Sequence, residues 1–144
     1  MTQYEKSAAT LELPAILAML ARHAVSDAAK ERALAVSPST DAATVKRLLA
    51  ETSAARGMMV TQGSPSFSGV KDVRPSLQRA EMGGVLNTRE LTGIAGVLAA
   101  ARAAKSYAAG DGKREKTCID YLFQSLQANR YLEDKITSSI AGED

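Results

Sequence analysis

The stretch from Gly63 to Leu91 constrains the fold most, because it alternates signals that end a helix with signals that start one. A loop rich in Pro, Gly and Ser occupies Gly63–Gly69 and is typical of a connection between elements. A short helix follows, predicted from its apolar residues Val73, Leu77 and Ala80. Pro75 lies in the first turn of that helix, where its missing N–H costs no hydrogen bond.

The second half of this stretch predicts a break and a new helix. Gly83 and Gly84 end the short helix, since glycine takes a positive φ without steric cost. Asn87 followed by Glu90 is a variant of the capping box, and Thr88 is the competing cap. An apolar stripe then predicts a long helix to about Tyr107, on the residues Leu91, Ile94, Ala95 and Leu98.

Apolar residues at helical spacing predict the other helices as well. Their faces are Leu13, Ile16, Leu17 and Leu20; Val45, Leu48, Leu49, Thr52 and Met59; Ile119, Leu122, Phe123 and Leu126; and Leu132, Ile136 and Ile140. His23 ends the first of these, a further helix runs from Ser26 to about Val36, and Thr40 or Asp41 caps the next. Gly57 weakens the last turns of that helix by about 1 kcal/mol of propensity.

The chain therefore predicts an all-α fold, a bundle of about seven helices in a single domain over residues 1–144. Its alanine content and scarce aromatic residues suit close-packed helices better than strands. A single cysteine, the lack of a signal peptide and the lack of a long apolar run predict a soluble cytoplasmic protein without a membrane span. Cys118 itself is expected to be a buried small hydrophobe.

No catalytic, cofactor-binding or metal-binding residue is predicted. His23 is the only histidine, so neither a zinc site nor a base paired with a nucleophile can be assigned to it. Glu133 and Asp134 are adjacent and splay around a helix, which is unsuitable for a general acid–base pair. Gly110 to Gly112 followed by Lys113 matches no phosphate-binding loop and predicts a turn before a charged flank.

The middle of the chain is mildly basic, with nine basic and five acidic residues over 71–116. Six of these cations are candidates for contacts to a nucleic-acid backbone: Lys71, Arg74, Arg79, Arg102, Lys105 and Arg114. Such contacts would be blind to sequence and sensitive to salt. The same residues equally suit solvated charges or partners for acids on neighbouring helices.

Three short motifs carry a family resemblance: Leu-Ala-Glu-Thr at Leu49–Thr52, Lys-Asp-Val-Arg-Pro at Lys71–Pro75, and Ala-Glu-Met-Gly-Gly-Val-Leu at Ala80–Leu86. Together with the segment that begins at Thr10, they resemble the N-terminal region of the type-two branch of MutS-like proteins. Two departures are the sequence Ala-Lys-Glu at Ala29–Glu31, where the family usually has Gly-Lys-Glu, and a loop at Ser64–Ser68 poorer in Pro and Gly.

The resemblance implies a helical core like the lever domain of MutS, within a longer protein. It further implies a coiled-coil clamp, a dimerising ATPase that uses ATP and Mg²⁺, and an Smr nuclease domain, all outside these residues. Such proteins are linked to binding of branched or mismatched DNA, to suppression of recombination, and to rescue of collided ribosomes, whose rRNA they contact. No functional residue carries over from the family, so this segment is expected to be non-catalytic, and the end at Gly142–Asp144 to be a truncation.

Three functions follow as hypotheses. The first is a mechanical segment that relays nucleotide state to a clamp around DNA or a ribosome, with a hinge at Gly83 and Gly84. The second is a free-standing helical module for protein interaction or self-association. The third is direct binding of nucleic-acid phosphates by the basic middle.

Overall fold

A computed structural model describes residues 3–112 and 114–140, which form eight helices and no strand. The helices are α1 Gln3–Thr10, α2 Leu13–Arg22, α3 Asp27–Leu34, α4 Ala42–Gln62, α5 Arg74–Glu81, α6 Thr88–Ala109, α7 Asp120–Gln124 and α8 Arg130–Ile140. The all-α prediction is confirmed. Throughout these residues, no helix combines the length and apolarity needed to cross a bilayer.

The chain divides into two compact units, Met1–Pro38 and Ser39–Asp144. The division leaves the expectation of one domain over residues 1–144 a prediction. The likeness to a MutS lever domain also stays a prediction. The truncation was expected at Gly142–Asp144, which lies outside the described residues, so it too stays a prediction.

The first unit contains α1, α2 and α3, with α2 packed on α3. Pro14 lies in the first turn of α2 and His23 follows its last residue, as predicted. Ser26 caps α3, since its hydroxyl oxygen accepts a hydrogen bond from the backbone N–H of Ala29 at 3.2 Å. None of the three helices has a buried residue. The described residues of this unit therefore form no buried core.

The second unit is built around α6, which packs against α7 and α8. Its buried line consists of small residues four apart, Ala100, Ala104 and Ala108. Small side chains let neighbouring backbones approach closely, and Ile136 of α8 and Ile119 before α7 complete this core. The predicted stripe on α6 is right at Ala95, which is buried, whereas Leu91, Ile94 and Leu98 are half-buried.

Helix α4 shows which of the two candidate residues is its cap, and its buried residue differs from the predicted apolar face. Asp41 is its cap, since the carboxylate accepts a hydrogen bond from the N–H of Thr44 at 2.8 Å. The helix passes through Gly57 without a break. Met58 is its buried residue, while Leu48 and Leu49 of the predicted apolar face are exposed. The buried position is set by contact with a later loop, which helical periodicity cannot anticipate.

Three other expectations are wrong in detail. Helix α1 was not expected, because its sequence has no apolar period. Helix α7 ends at Gln124, so Leu126 lies beyond it. Cys118 is exposed rather than buried, because the turn that precedes α7 directs the neighbouring Ile119 inward instead.

Candidate functional site

The charged residues of the second unit mostly join its helices to one another. Arg102 on α6 and Glu133 on α8 form a two-point ion pair, Nε to Oε2 at 3.0 Å and Nη2 to Oε1 at 2.7 Å. Glu133 is buried although it is charged. Hydrogen bonding from Arg102 lowers the pKa of Glu133 below its ordinary value and raises the pKa of Arg102. Paired in this way, the two groups fasten α8 to α6.

Arg114 joins three parts of the second unit. Its Nε donates to the backbone carbonyl of Ala108 at the end of α6, at 2.8 Å, and its Nη2 donates to Oδ1 of Asp120 at 2.8 Å. Its Nη1 lies 3.9 Å from the sulfur of Met58 on α4. Thr117 donates to the same Asp120 oxygen at 2.8 Å. The pKa of Asp120 is lowered, first by Arg114 and then by Thr117.

A third ion pair, between Arg79 and Glu90, closes the corner between α5 and α6. The same Glu90 oxygen accepts a hydrogen bond from the hydroxyl of Ser76 at 3.3 Å. The other oxygen accepts from the N–H of Asn87 at 2.9 Å, and Asn87 in turn accepts from the N–H of Glu90. The predicted capping box is therefore confirmed with Asn87 as the cap. The Glu90 carboxylate therefore caps the start of α6 and also binds Ser76 and Arg79 of α5.

Gly83 and Gly84 end α5, as predicted. Gly83 has φ 80°, its N–H donates to the carbonyl of Ala80, and the N–H of Gly84 donates to the carbonyl of Arg79. This pair of bonds is the Schellman arrangement. A β carbon on Gly84 would lie 2.5 Å from Cγ of Arg79 and 3.0 Å from its carbonyl oxygen. The first glycine is required by its backbone conformation, and the second by the side chain that lies against it.

The remaining candidates are more exposed. Arg74 pairs with Asp72 through two contacts of 2.8 and 2.7 Å, and this hydrogen bonding lowers the pKa of Asp72 to about 2. Lys105 donates to the carbonyl of Leu126 at 3.1 Å. Lys71 is exposed. Four of the six candidates, Arg74, Arg79, Arg102 and Arg114, thus form ion pairs with acidic side chains. Nucleic-acid binding by the six stays a prediction.

Two tyrosines that sequence reasoning did not single out also connect elements of this unit. The hydroxyl of Tyr107 on α6 donates to the carbonyl of Gly63 at 2.9 Å. That of Tyr121 on α7 donates to Glu51 on α4 at 3.1 Å, and this bond raises the pKa of Tyr121. Their partners are 44 and 70 residues away in the sequence, so no local signal could have identified them.

The fold and these contacts define a class, an all-α segment whose charged side chains fasten helices together. Among the residues described, no three His, Cys, Asp or Glu side chains are grouped to hold a metal ion. His23 lies in the first unit.

Comparison with curated proteins places this segment among relatives named endonuclease MutS2. The protein of that name from Ruminiclostridium cellulolyticum is 38% identical over 141 residues, which is 97% of this chain and 18% of the relative. That from Acetivibrio thermocellus is 39% identical over 142 residues, again 97% and 18%. That from Agathobacter rectalis is 34% identical over 136 residues. No protein-family model matches the chain.

The resemblance to the type-two MutS-like family, drawn above from sequence motifs, is therefore confirmed. The chain spans about one fifth of the length of the relatives it matches.

Proposed function

We propose that this chain is a non-catalytic helical scaffold, a core or lever segment of a MutS2-like protein. The name of the relatives and the coverage of nearly the whole chain support the family context. The ion pairs around α6 support the mechanical role, because they fasten α5, α7 and α8 to one long helix. A helix held in this way transmits a displacement along its length instead of bending.

The Arg102–Glu133 pair carries this proposal. Its two parallel hydrogen bonds fix both the distance and the orientation between α6 and α8. Exposed single-point ion pairs add little rigidity, because both side chains remain free to rotate. A two-point pair with a buried carboxylate suits an element that must move as one body.

The chemistry suggested by the relatives' name is assigned in this proposal to other parts of the parent protein. There we place ATP and Mg²⁺ binding, ATPase and endonuclease activity, and homodimer formation. Branched or mismatched DNA, with suppression of recombination, and collided ribosomes with their rRNA are the proposed substrates and partners of the parent, in the cytoplasm. This segment would pass nucleotide state toward the DNA or ribosome clamp.

A hinge at Gly83 and Gly84 is part of the same proposal. Movement there would have to break the Arg79–Glu90 ion pair and displace the Arg79 side chain from Gly84. The corner is therefore proposed to switch between two states, closed by that pair or open, instead of bending continuously.

The test uses the longer protein that contains this segment, with Arg102→Ala as the uncoupling variant. We expect ATP to change the affinity for branched DNA in the parent protein and to change it much less in Arg102→Ala, at unchanged ATP hydrolysis. Arg130→Ala is the matched control, because the ion pair that Arg130 forms with Asp134, at 3.6 Å, stays within α8. Fluorescence anisotropy with labelled DNA, with and without ATP, measures the coupling.

Equal coupling in Arg102→Ala, Arg130→Ala and the parent would refute the scaffold role. ATP hydrolysis or strand cleavage by the 144-residue chain alone would refute its non-catalytic character.

A further inference from the structure

The packing inside the first unit is made by small side chains. Among residues 3–38 no side chain is buried, and most of the half-buried ones are alanines, with Leu13 and Leu17 of α2 as the larger exceptions. An alanine removes little apolar surface from water, so each of these contacts contributes little. A hollow of about 450 Å³ also lies in this unit, lined by Leu20 of α2 and by Ala29 and Arg32 of α3 among others. The packing of α2 on α3 is therefore incomplete.

The helices of the first unit are also short. Helices α1, α2 and α3 have 8, 10 and 8 residues. Isolated helices shorter than roughly 12–15 residues are at best marginally stable in water. Ser26 caps α3, but no side-chain hydrogen bond caps the start of α2. The three helices therefore depend on the weak packing between them.

Glu12 adds a conformational cost where α1 gives way to α2. Its φ of 56° and ψ of 27° are left-handed, and among the described residues no other non-glycine residue has a positive φ. Its N–H donates to the carbonyl of Ala9 at the end of α1, a position where glycine is usual because a β carbon is unfavourable there. The Glu12 carboxylate makes no capping hydrogen bond to α2 that would offset this cost.

The boundary between the units allows the first unit to unfold separately. Every residue from Leu34 to Ala43 is exposed, and the division falls after Pro38. The second unit has its own buried residues along α6 and its own ion pairs between helices, such as Arg102–Glu133. Unfolding of α1, α2 and α3 breaks none of these contacts, so the two units can have different stabilities.

We propose that the segment from α1 to α3 is an order–disorder switch, which folds and unfolds reversibly while the second unit stays folded. Its equilibrium lies close to balance, because the weak packing only just offsets the loss of chain entropy. A two-state element near balance responds strongly to a small perturbation, which a firmly folded element does not. The inference is independent of the scaffold role, since that role concerns the second unit.

Hydrogen–deuterium exchange of the 144-residue chain, followed by mass spectrometry, tests this proposal. With each rate referred to that of an unfolded peptide, we expect the amides of α2 and α3 to exchange at least about a hundredfold faster than those in the middle of α6. Equal protection of α2 and α6 would overturn the proposal.

Glu12→Gly tests the strained position, and Glu12→Ala is its matched control. Both variants remove the carboxylate, but only glycine relieves the left-handed backbone. We expect Glu12→Gly to slow exchange in α2 by about threefold or more, and Glu12→Ala not to slow it. Exchange in α6 should stay unchanged in both. Equal exchange in α2 of the two variants, or slowing that extends to α6, would overturn the proposal.

Gly57→Ala tests whether the two units unfold separately. A β carbon at this position of α4 would meet nothing within 4 Å, so alanine should slow exchange in α4 through its higher helix propensity. Exchange in α2 should stay the same, because α2 belongs to the other unit. Slowing of α2 by the same factor as α4 would mean that both units unfold together, which would contradict the switch.

Discussion

The carbonyl oxygen of Gly69 lies 2.9 Å from the position that a β carbon would occupy on Gly96. The loop that follows α4 therefore rests its backbone directly on α6. Gly69 has φ 86°, which suits glycine, and a β carbon on Gly93 would meet the Val73 side chain at 3.6 Å, a normal contact. At Gly96 the group in the way is backbone, which has no flexible end to move aside.

Gly96→Ala and Gly57→Ala should change stability in opposite directions. Both glycines lie inside helices, but a β carbon on Gly57 would meet nothing within 4 Å. We expect Gly57→Ala to stabilise by about 0.5–1 kcal/mol through helix propensity. Gly96→Ala should destabilise by about 1–3 kcal/mol, because the loop must shift. Urea denaturation followed by circular dichroism measures both, and equal stabilisation by the two variants would rule out the close approach.

The Arg102–Glu133 pair should make stability depend on acid pH. Because Arg102 holds the pKa of Glu133 below its ordinary value of 4.5, the contribution is present in full above that value. It is lost as the pH falls through the lowered pKa of the folded state. Glu133→Gln should therefore destabilise the chain at pH 7. Near pH 3 its stability should differ less from that of the unmutated chain. Urea midpoints at both pH values check this. A difference in midpoint between the two proteins that is larger at pH 3 than at pH 7 would contradict it.

Arg74 should make Asp72 titrate at a lower pH than an ordinary aspartate. The hydrogen bonds from Arg74 lower the pKa of Asp72 to about 2. We expect Arg74→Ala to return the pKa toward 3.8, the ordinary value. A carbon-detected NMR titration of the Asp72 carboxyl group follows the change directly, and an unchanged pKa in Arg74→Ala would contradict it.

The end of α5 should accept asparagine better than alanine. Gly83 has φ 80°, a left-handed conformation that costs most residues about 1–2 kcal/mol and asparagine less. Gly83→Ala should therefore unfold at lower urea than Gly83→Asn. Asn87→Ala, which removes the cap of α6, should cost about 1 kcal/mol. Identical midpoints for the two Gly83 variants would show that this residue changes its backbone conformation freely.

Local signals predicted the elements of this fold well. Asn87 and Glu90 identified the start of α6, and Pro14 and His23 bracketed α2, because capping depends on residues within one turn. The buried surface was harder to predict. Large apolar residues indicated a stripe on α6, whereas the described core uses Ala100, Ala104 and Ala108, whose burial depends on the close approach of other helices.

The contacts of the candidate cations were less predictable. Arg102 and Glu133 are 31 residues apart, and the sequence alone left Arg102 equally suited to phosphate, solvent or a neighbouring acid. Which partner Arg102 contacts depends on the placement of α8, because α8 brings the Glu133 carboxylate next to Arg102 on α6. The Asp72–Arg74 pair was not predicted either, although the two residues are only two positions apart in the sequence.

The turn before α7 makes Cys118 a chemical handle. It is the only cysteine in the chain, and it is exposed while the adjacent Ile119 is buried. A maleimide dye would therefore attach at a single place, outside the core yet three residues from the Tyr121 hydroxyl that reaches Glu51 on α4. Its emission would respond when α4 and α7 separate, so the natural sequence already carries the reporter needed to watch this unit unfold.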